Sequence, residues 1–409
     1  MDHTVTQGET VPDPVFSSSV DLLTELCAIS SASNDIDGLE RMAARLSEAV
    51  EPFGLTPVVM HEAGVDGRPY PVLVARGADT TAGYFLALGH LDTVLPGIPP
   101  ERQAGRLAGT GALDMKGGLA AFVGALQLIA RSGGDAVPRD VVFVGVPDEE
   151  VGGPISEQAV RAWGENARAV LVLEPGALRP GGAETLVTGR RGLTVWRLEA
   201  RGRAAHSGLA YWQGRSALAA AATWCGAVQR MSEKGAGPIV NVGRIVGGDS
   251  EFVQDLGEEH HFVGTSQRLN VIPDRCIAEG EVRFLDTADR DRMFGQMREI
   301  AGQLATGWGV EMELLEMDQL PPVDPRGAGG RLARLLVESA AKDGWTLELE
   351  DDRGGVSFPN FLPDPSAVTV LDGLGPCGAG MHTREEYVDL LSLRRRIGLI
   401  AEAIRLVAE

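Results

Sequence analysis

The chain has 409 residues, too many for one ordinary small domain, and its 44% apolar and 23% charged composition supports a sizeable core and excludes disorder. Lys plus Arg total 37 against 57 Asp plus Glu, a formal charge of −20. That excess of acid repels nucleic acid and anionic membranes as partners, and it suits a soluble enzyme or a chain that gathers carboxylates around cations.

The N-terminus, MDHTVTQGETVPDPVF, has no basic start and no apolar h-region, and no apolar run approaches the ~18–20 residues of a bilayer span. A cytoplasmic chain is expected. Residues 17–53 carry helical spacing with Gly54 as a stop. Short apolar runs then follow at Tyr84–Gly89, Val141–Val146, Ala169–Leu173 and Ala367–Leu371. Such runs suit strands covered on both faces. Lys116–Arg131 between the first two reads as a helix, so the alternation predicts an α/β sheet. In the middle of the chain, strands are expected at 193–202, 239–248, 275–286 and 310–317, with helices at 214–232 and 289–305. This β-α-β-β-α-β order is that of a small α+β, two-layer, split βαβ domain of ferredoxin-like type. A helix resumes at Arg331–Lys342. The expected division is a catalytic domain from 1–189 and 319–409, interrupted by a domain at 190–318. The cysteines (Cys27, Cys225, Cys276, Cys377) are widely spaced and form no CxxC pair, which argues against zinc ribbons, redox motifs and disulfide frameworks.

Chemistry concentrates after the apolar runs. His90-Leu91-Asp92 follows the first, Pro147-Asp148-Glu149-Glu150 the second, Glu174-Pro175 the third, and Met381-His382-Thr383 comes after a Gly-rich turn beyond the fourth. Asp114 joins from the loop before the Lys116 helix. Ligands of open parallel sheets sit outside the carboxyl ends of the strands. A lone His-x-Asp or Glu-Glu is usually structural; five such features at successive strand ends point to a site. Imidazole and carboxylate without thiolate suit zinc, manganese or cobalt in a hydrolytic centre. His90 and Asp92, two apart, face one side of an extended chain, so one can ligate while the other orients the ring. Glu149 and Glu150 point in different directions, so one can ligate and the other act as general base.

GHLDTV, GTGALDMKGG, PDEEVGG, LEPG and MHTREEYV, in this order, resemble the co-catalytic zinc metallopeptidase and amidase family that includes glutamate carboxypeptidase of the carboxypeptidase G type, acetylornithine deacetylase, succinyl-diaminopimelate desuccinylase and aminoacylase. The resemblance implies a zinc-peptidase-like mixed sheet covered by helices, an inserted lid or dimerisation domain, a homodimer, and a small-molecule substrate with an amide-type C–N bond. It implies two divalent ions, zinc with manganese or cobalt as alternatives, held by His90, Asp114, Glu150, Glu174 and His382, with Asp114 bridging. Asp92 would orient His90, and Glu149 would be general base and then acid. His206, in RAAHSG, would polarise the scissile carbonyl in a partner subunit. Asn270, Arg283, Gly355 and Ser357 match substrate-contact positions, and the Asp114–Met115 bond is often cis in the family. For Arg283 an ion pair within its strand is the plain alternative. His3, His61, His260 and His261 read as surface residues.

Two departures bear on the substrate. Leu320 stands where many relatives carry an Arg that holds a substrate carboxylate. Gly354-Gly355-Val356-Ser357 runs into Phe358 and Pro359, where the family commonly has Asp after the Ser or Thr. Both changes make the pocket less polar and open the alternative of an aryl amide or aromatic amine, whose pocket Trp212 could line. A catalytically silent, metal-binding or ligand-binding relative is the remaining alternative, against which the intact Glu149 speaks.

Overall fold

The computed structural model describes residues 11, 13–132, 137–259 and 270–408. His3, His260 and His261 lie outside them. The chain divides into two compact units, Met1–Arg190 with Val323–Glu409, and Arg191–Pro322.

In chain order the first unit begins with helices α1 (Asp13–Ala28) and α2 (Ile36–Val50) and strands β1 (Thr56–Ala63), β2 (Pro69–Arg76) and β3 (Tyr84–His90). It continues with α3 (Lys116–Arg131), β4 (Val141–Val146), α4 (Pro154–Gly164), β5 (Ala167–Val172) and β6 (Glu184–Val187). The second unit holds β7 (Gly192–Arg201), α5 (Ala217–Val228), β8 (Ile239–Gly248), α6 (Ser250–Glu259), β9 (Arg275–Phe284), α7 (Thr287–Trp308) and β10 (Glu311–Leu320). The chain then returns to the first unit through α8 (Ala328–Lys342), β11 (Leu347–Glu350), β12 (Thr369–Leu371) and α9 (Leu390–Ala408).

The main sheet has the order β1-β2-β4-β3-β5-β12. Strands β4, β3, β5 and β12 run parallel, while β2 pairs antiparallel with β1 and β4, so the sheet is mixed. Every residue of β3 and β4 is buried, which is why both read as unbroken apolar runs. The second unit is a four-stranded antiparallel sheet of order β8-β9-β7-β10 with α5 and α7 packed against it, the ferredoxin-like arrangement. Trp196 and Trp224 meet edge to face at 5.2 Å in its core.

Two local differences from the sequence reading have physical causes. The helical stretch 17–53 is two helices, because Asp35 caps α2 by accepting from the Gly38 amide at 3.0 Å. Gly54 does stop the run, at φ 84°. The C-terminal helix α9 escapes the apolar pattern because Arg396, on its inner face, is fully buried.

That arginine anchors the C-terminus. Arg396 Nε donates to Glu184 at 2.9 Å, and Nη1 and Nη2 donate to the carbonyls of Gly373 and Thr185 at 2.9 Å each. Glu184 also accepts from Ser392 Oγ at 2.8 Å and Arg395 at 3.0 Å. Burial alone would raise the pKa of Glu184; the Arg396 charge and these hydrogen bonds hold it below the usual range. Arg396→Met should therefore cost about 1.5–3 kcal/mol, by removing a charged donor from buried Glu184 and leaving it to Arg395 and Ser392, seen as a lower thermal midpoint. The wild-type contribution is present above the carboxylate's unfolded pKa and lost as pH falls through its lower folded value. The wild type should thus lose more stability on acidification than the variant does.

Candidate metal centre

The site forms where β3, β4 and β5 end. His90, the last residue of β3, is buried against Val146 at the end of β4. Its Nδ1 lies 3.0 Å from the Asp92 carbonyl and 3.4 Å from Asp92 Oδ1, so that nitrogen carries the proton and Nε2 faces the site. Asp92 is held in turn: its Oδ2 accepts from Ser33 Oγ at 2.7 Å and from the Glu150 amide at 3.2 Å.

Asp114 is the centre of the arrangement. Its Oδ1 is 3.0 Å from His90 Nε2 and its Oδ2 is 3.1 Å from His382 Nε2. His382 Nε2 is also 3.2 Å from Glu150 Oε2, and Glu174 Oε1 lies 3.9 Å from His90 Nε2. The Asp114–Met115 bond is cis. Glycine sets one close approach: a Cβ on Gly118, in the first turn of α3, would stand 1.9 Å from the Leu173 carbonyl oxygen. Only glycine lets α3 start against the end of β5, next to Glu174. His382 adopts φ 62°, a left-handed conformation found at no other non-glycine residue among those described. Such outliers gather at functional sites.

Two donor sets have ligand atoms within 4.8 Å of one another, His90 with Asp114 and Glu150, and His90 with Glu149 and Glu174. One carboxylate split between two imidazoles, flanked by further acids, is a donor set that fits two divalent cations. Without cations the site resists its own charge. Burial raises Glu149 and pushes Glu150 up to about 8, and the charge of Asp114 adds to both. Burial, with the charges of Asp114 and Glu149, raises Glu174 well above the carboxylate range. Burial would raise Asp114 as well, but its bonds to His382 and His90 reverse the sign. Asp114 lifts His382 to about 9; for His90, burial opposes the charged ring and the carboxylates of Asp114 and Asp92 outweigh it.

The remaining expected residues fall as follows. Ser357 Oγ donates to Glu174 at 3.3 Å, and the Gly355 carbonyl accepts from Arg190 at 2.7 Å. Phe358 is fully buried with its ring centroid 6.3 Å from that of His90. In the second unit, exposed His206 accepts at Nδ1 from the amides of Gly208 (3.1 Å) and Leu209 (3.2 Å), and its Nε2 lies 3.3 Å from Asn270 Nδ2. Arg283 forms a bidentate pair with Glu281 at 3.0–3.1 Å. Trp212 is 86% exposed, and His61 pairs with Glu40 at the surface. Sequence reasoning missed Ser33 and Glu386, which carry no strand-end signature. No helix among the described residues is long and apolar enough to cross a membrane.

The profile of peptidase family M20/M25/M40 matches residues 86–406. Carboxypeptidase G2 of Pseudomonas sp. (strain RS-16) is 25% identical over 414 residues, covering 98% of this chain and 92% of that protein. A succinyl-diaminopimelate desuccinylase of Rhodospirillum centenum is 28% identical over 347 residues, covering 78% and 81%. An aminopeptidase of Bacillus cereus shares the fold with a TM-score of 0.72 at 21% identity, covering 96% of this chain and 99% of its own. A dinuclear metal-binding peptidase of Bacillus subtilis does so with a TM-score of 0.65 at 16% identity, covering 97% and 99%.

Cations must displace protons from this site. At pH 7 Glu150 and His382, raised to about 8 and about 9, hold protons, so Zn²⁺ binding should release protons. Calorimetric heats of Zn²⁺ binding should then depend on the ionisation enthalpy of the buffer; heats identical in phosphate-free buffers of low and high ionisation enthalpy would contradict the described electrostatics.

Proposed function

The chain belongs to peptidase family M20/M25/M40 and is a metal-dependent hydrolase; from that premise we propose that it cleaves an amide-type C–N bond of a small, N-acyl amino acid or peptide-like substrate, with Glu149 as general base. The carrying observation is the Asp114 carboxylate, shared at 3.0 and 3.1 Å between His90 and His382. In this reading His90, Asp114 and Glu174 hold one ion and Asp114, Glu150 and His382 the other. The dinuclear centre named for the Bacillus subtilis peptidase supports two ions here, and imidazole with carboxylate favours zinc, with manganese or cobalt as alternatives. When bound, the ions supply Lewis-acid polarisation and an acidified water.

The protein's own groups do the rest. Glu149 stands beside His90 and Glu174, and in this reading it accepts a proton from the attacking water. It then returns that proton to the leaving nitrogen. Burial raises its proton affinity above that of an ordinary glutamate. His206 stabilises the developing oxyanion on the substrate. The second unit serves as lid and dimerisation domain of a cytoplasmic homodimer, with His206 serving the partner's centre. Asn270 and Arg283 contribute substrate contacts from the same unit, and Gly355 and Ser357 contribute them from the catalytic one.

The acyl or side-chain group is apolar in this reading. Val94 (42% exposed), Val151 (65%) and Met381 (42%) are exposed apolar side chains within two residues of Asp92, Glu150 and His382. The pocket holding Val94, Glu150 and His382 is lined by no arginine or lysine among the described residues. With Leu320 and Phe358 standing in the sequence where relatives carry charged groups, this reading favours a benzoyl or long acyl group, or an aryl amide, over a glutamyl or succinyl one.

Glu149→Gln should retain metal and lose about 10²–10⁴-fold in kcat; full turnover with bound metal would refute the assignment. In a substrate panel assayed with Zn²⁺, Mn²⁺ and Co²⁺, kcat/KM should be higher for apolar than for dicarboxylate substrates. Exchanged heterodimers of His206→Ala and Glu149→Ala subunits should regain part of the activity, since one intact centre is rebuilt; no recovery would assign His206 to its own subunit.

A further inference from the structure

We propose that Glu386 is the positioning residue of the metal centre: it grips the backbone of Asp114, while His382, four residues earlier, grips its side chain. The inference rests on the reading that Asp114 is shared by two ions.

Glu386 is buried at 4% exposure, yet it belongs to neither donor set among the described residues. It is filled by main chain. Oε2 accepts from the Gly111 amide at 2.8 Å, and Oε1 accepts from the amides of Leu113 and Asp114 at 2.9 Å each. Its own carbonyl accepts from the Gly109 amide at 3.1 Å. That last bond extends the ladder in which Tyr387–Asp389 pairs with Arg106–Ala108. The segment from His382 to Asp389 is thus stitched along the whole loop that ends in Asp114. Gly111 turns the loop at φ 75°, with the stem of Lys116 lying where a Cβ would go. Lys116 is itself buried and tied by its Nζ to the Ile29 carbonyl at 2.8 Å.

Three amide donors on two oxygens require a carboxylate. A glutamine in the same place presents one acceptor oxygen and one NH₂, so it faces at least one backbone N–H with another donor. The loop then shifts, and the two oxygens of Asp114 no longer meet both histidines. The first-bound ion keeps its other ligands; the sharing of Asp114, and with it the second ion, suffers most. Partners behind metal ligands are typically worth about 10–100-fold in metal affinity.

The test is calorimetric titration of chelator-stripped full-length protein with Zn²⁺, paired with the visible absorption of the Co²⁺ form. The comparison is between wild type, Glu386→Gln, Glu386→Asp, and Arg396→Lys as a destabilised control, since Arg396 makes none of the hydrogen bonds to that loop. The expected result is about 10–100-fold weaker binding of the second equivalent and an altered Co²⁺ spectrum in Glu386→Gln, with wild-type values for Arg396→Lys. Glu386→Asp, which keeps the charge on a shorter arm, should fall between, and it carries the test if Glu386→Gln does not fold. Wild-type affinities in both Glu386 variants would overturn the inference alone, as would equal weakening in Arg396→Lys. A wild-type protein that binds no second ion would overturn the two-ion reading together with it.

Discussion

The catalytic unit is organised around one shared carboxylate. Asp114 meets His90 across 24 residues of sequence and His382 across 268, and each histidine takes one of its oxygens. Glu149, Glu150 and Glu174 crowd the same buried space. Two like charges 4 Å apart repel by about 4 kcal/mol at an effective dielectric of about 20, so several carboxylates there are tolerable only when protons or cations neutralise them. The raised pKa of the glutamates and of both histidines is the proton-loaded answer to that constraint; two divalent ions are the other. The fold therefore has to hold the acids together against their repulsion in either state, and the buried strands and close glycine contacts do so.

How much of this could be read from the amino-acid order depended on burial symmetry. Strands β3, β4 and β5 are covered on both faces, so they stand out as apolar runs, and the polar groups that terminate them mark the site. Strand β1 lies at the sheet edge and alternates between exposed and partly buried residues, so no run announced it, whereas β2 is buried from Tyr70 to Ala75 and carries a run of the same kind. Helix α9 was hidden for the opposite reason. Its core face includes a buried arginine whose partner, Glu184, is 212 residues away, and a pairing at that separation leaves no local pattern.

The same distinction divides the site. Side chains that project from strand ends were legible. The residues that hold them, Ser33 behind Asp92 and Glu386 behind the Asp114 loop, act through hydrogen bonds that span 59 residues for Ser33 and 272 to 275 for Glu386, and hydrogen-bond partnership has no periodicity. The adjacent pair Glu149 and Glu150 needed geometry as well: only Glu150 stands beside His382, at 3.2 Å. Phe358 shows how a departure from a motif can be absorbed. The ring is buried beside His90 and leaves Ser357 free to donate to Glu174, so the loop keeps its polar contact while its acid is gone.

Insertion of a whole second unit into this charged centre's scaffold has a simple structural basis. Arg190 and Val323, the residues at which the chain leaves and re-enters the catalytic unit, exchange both backbone hydrogen bonds, at 3.2 and 2.9 Å. The two crossings are thus a closed pair, and from inside the catalytic unit the intervening residues amount to one long loop, which costs little more entropy than a shorter one. The Arg190 side chain continues the clamp, pairing with buried Asp372 at 2.5 Å and holding the Gly355 carbonyl two residues from Ser357. The junction is therefore bonded to the loop that touches Glu174. A change of φ or ψ at Arg190 would have to break either the Val323 exchange or the Asp372 pair before it altered the site, so the catalytic unit can carry its insertion without surrendering the geometry at Asp114.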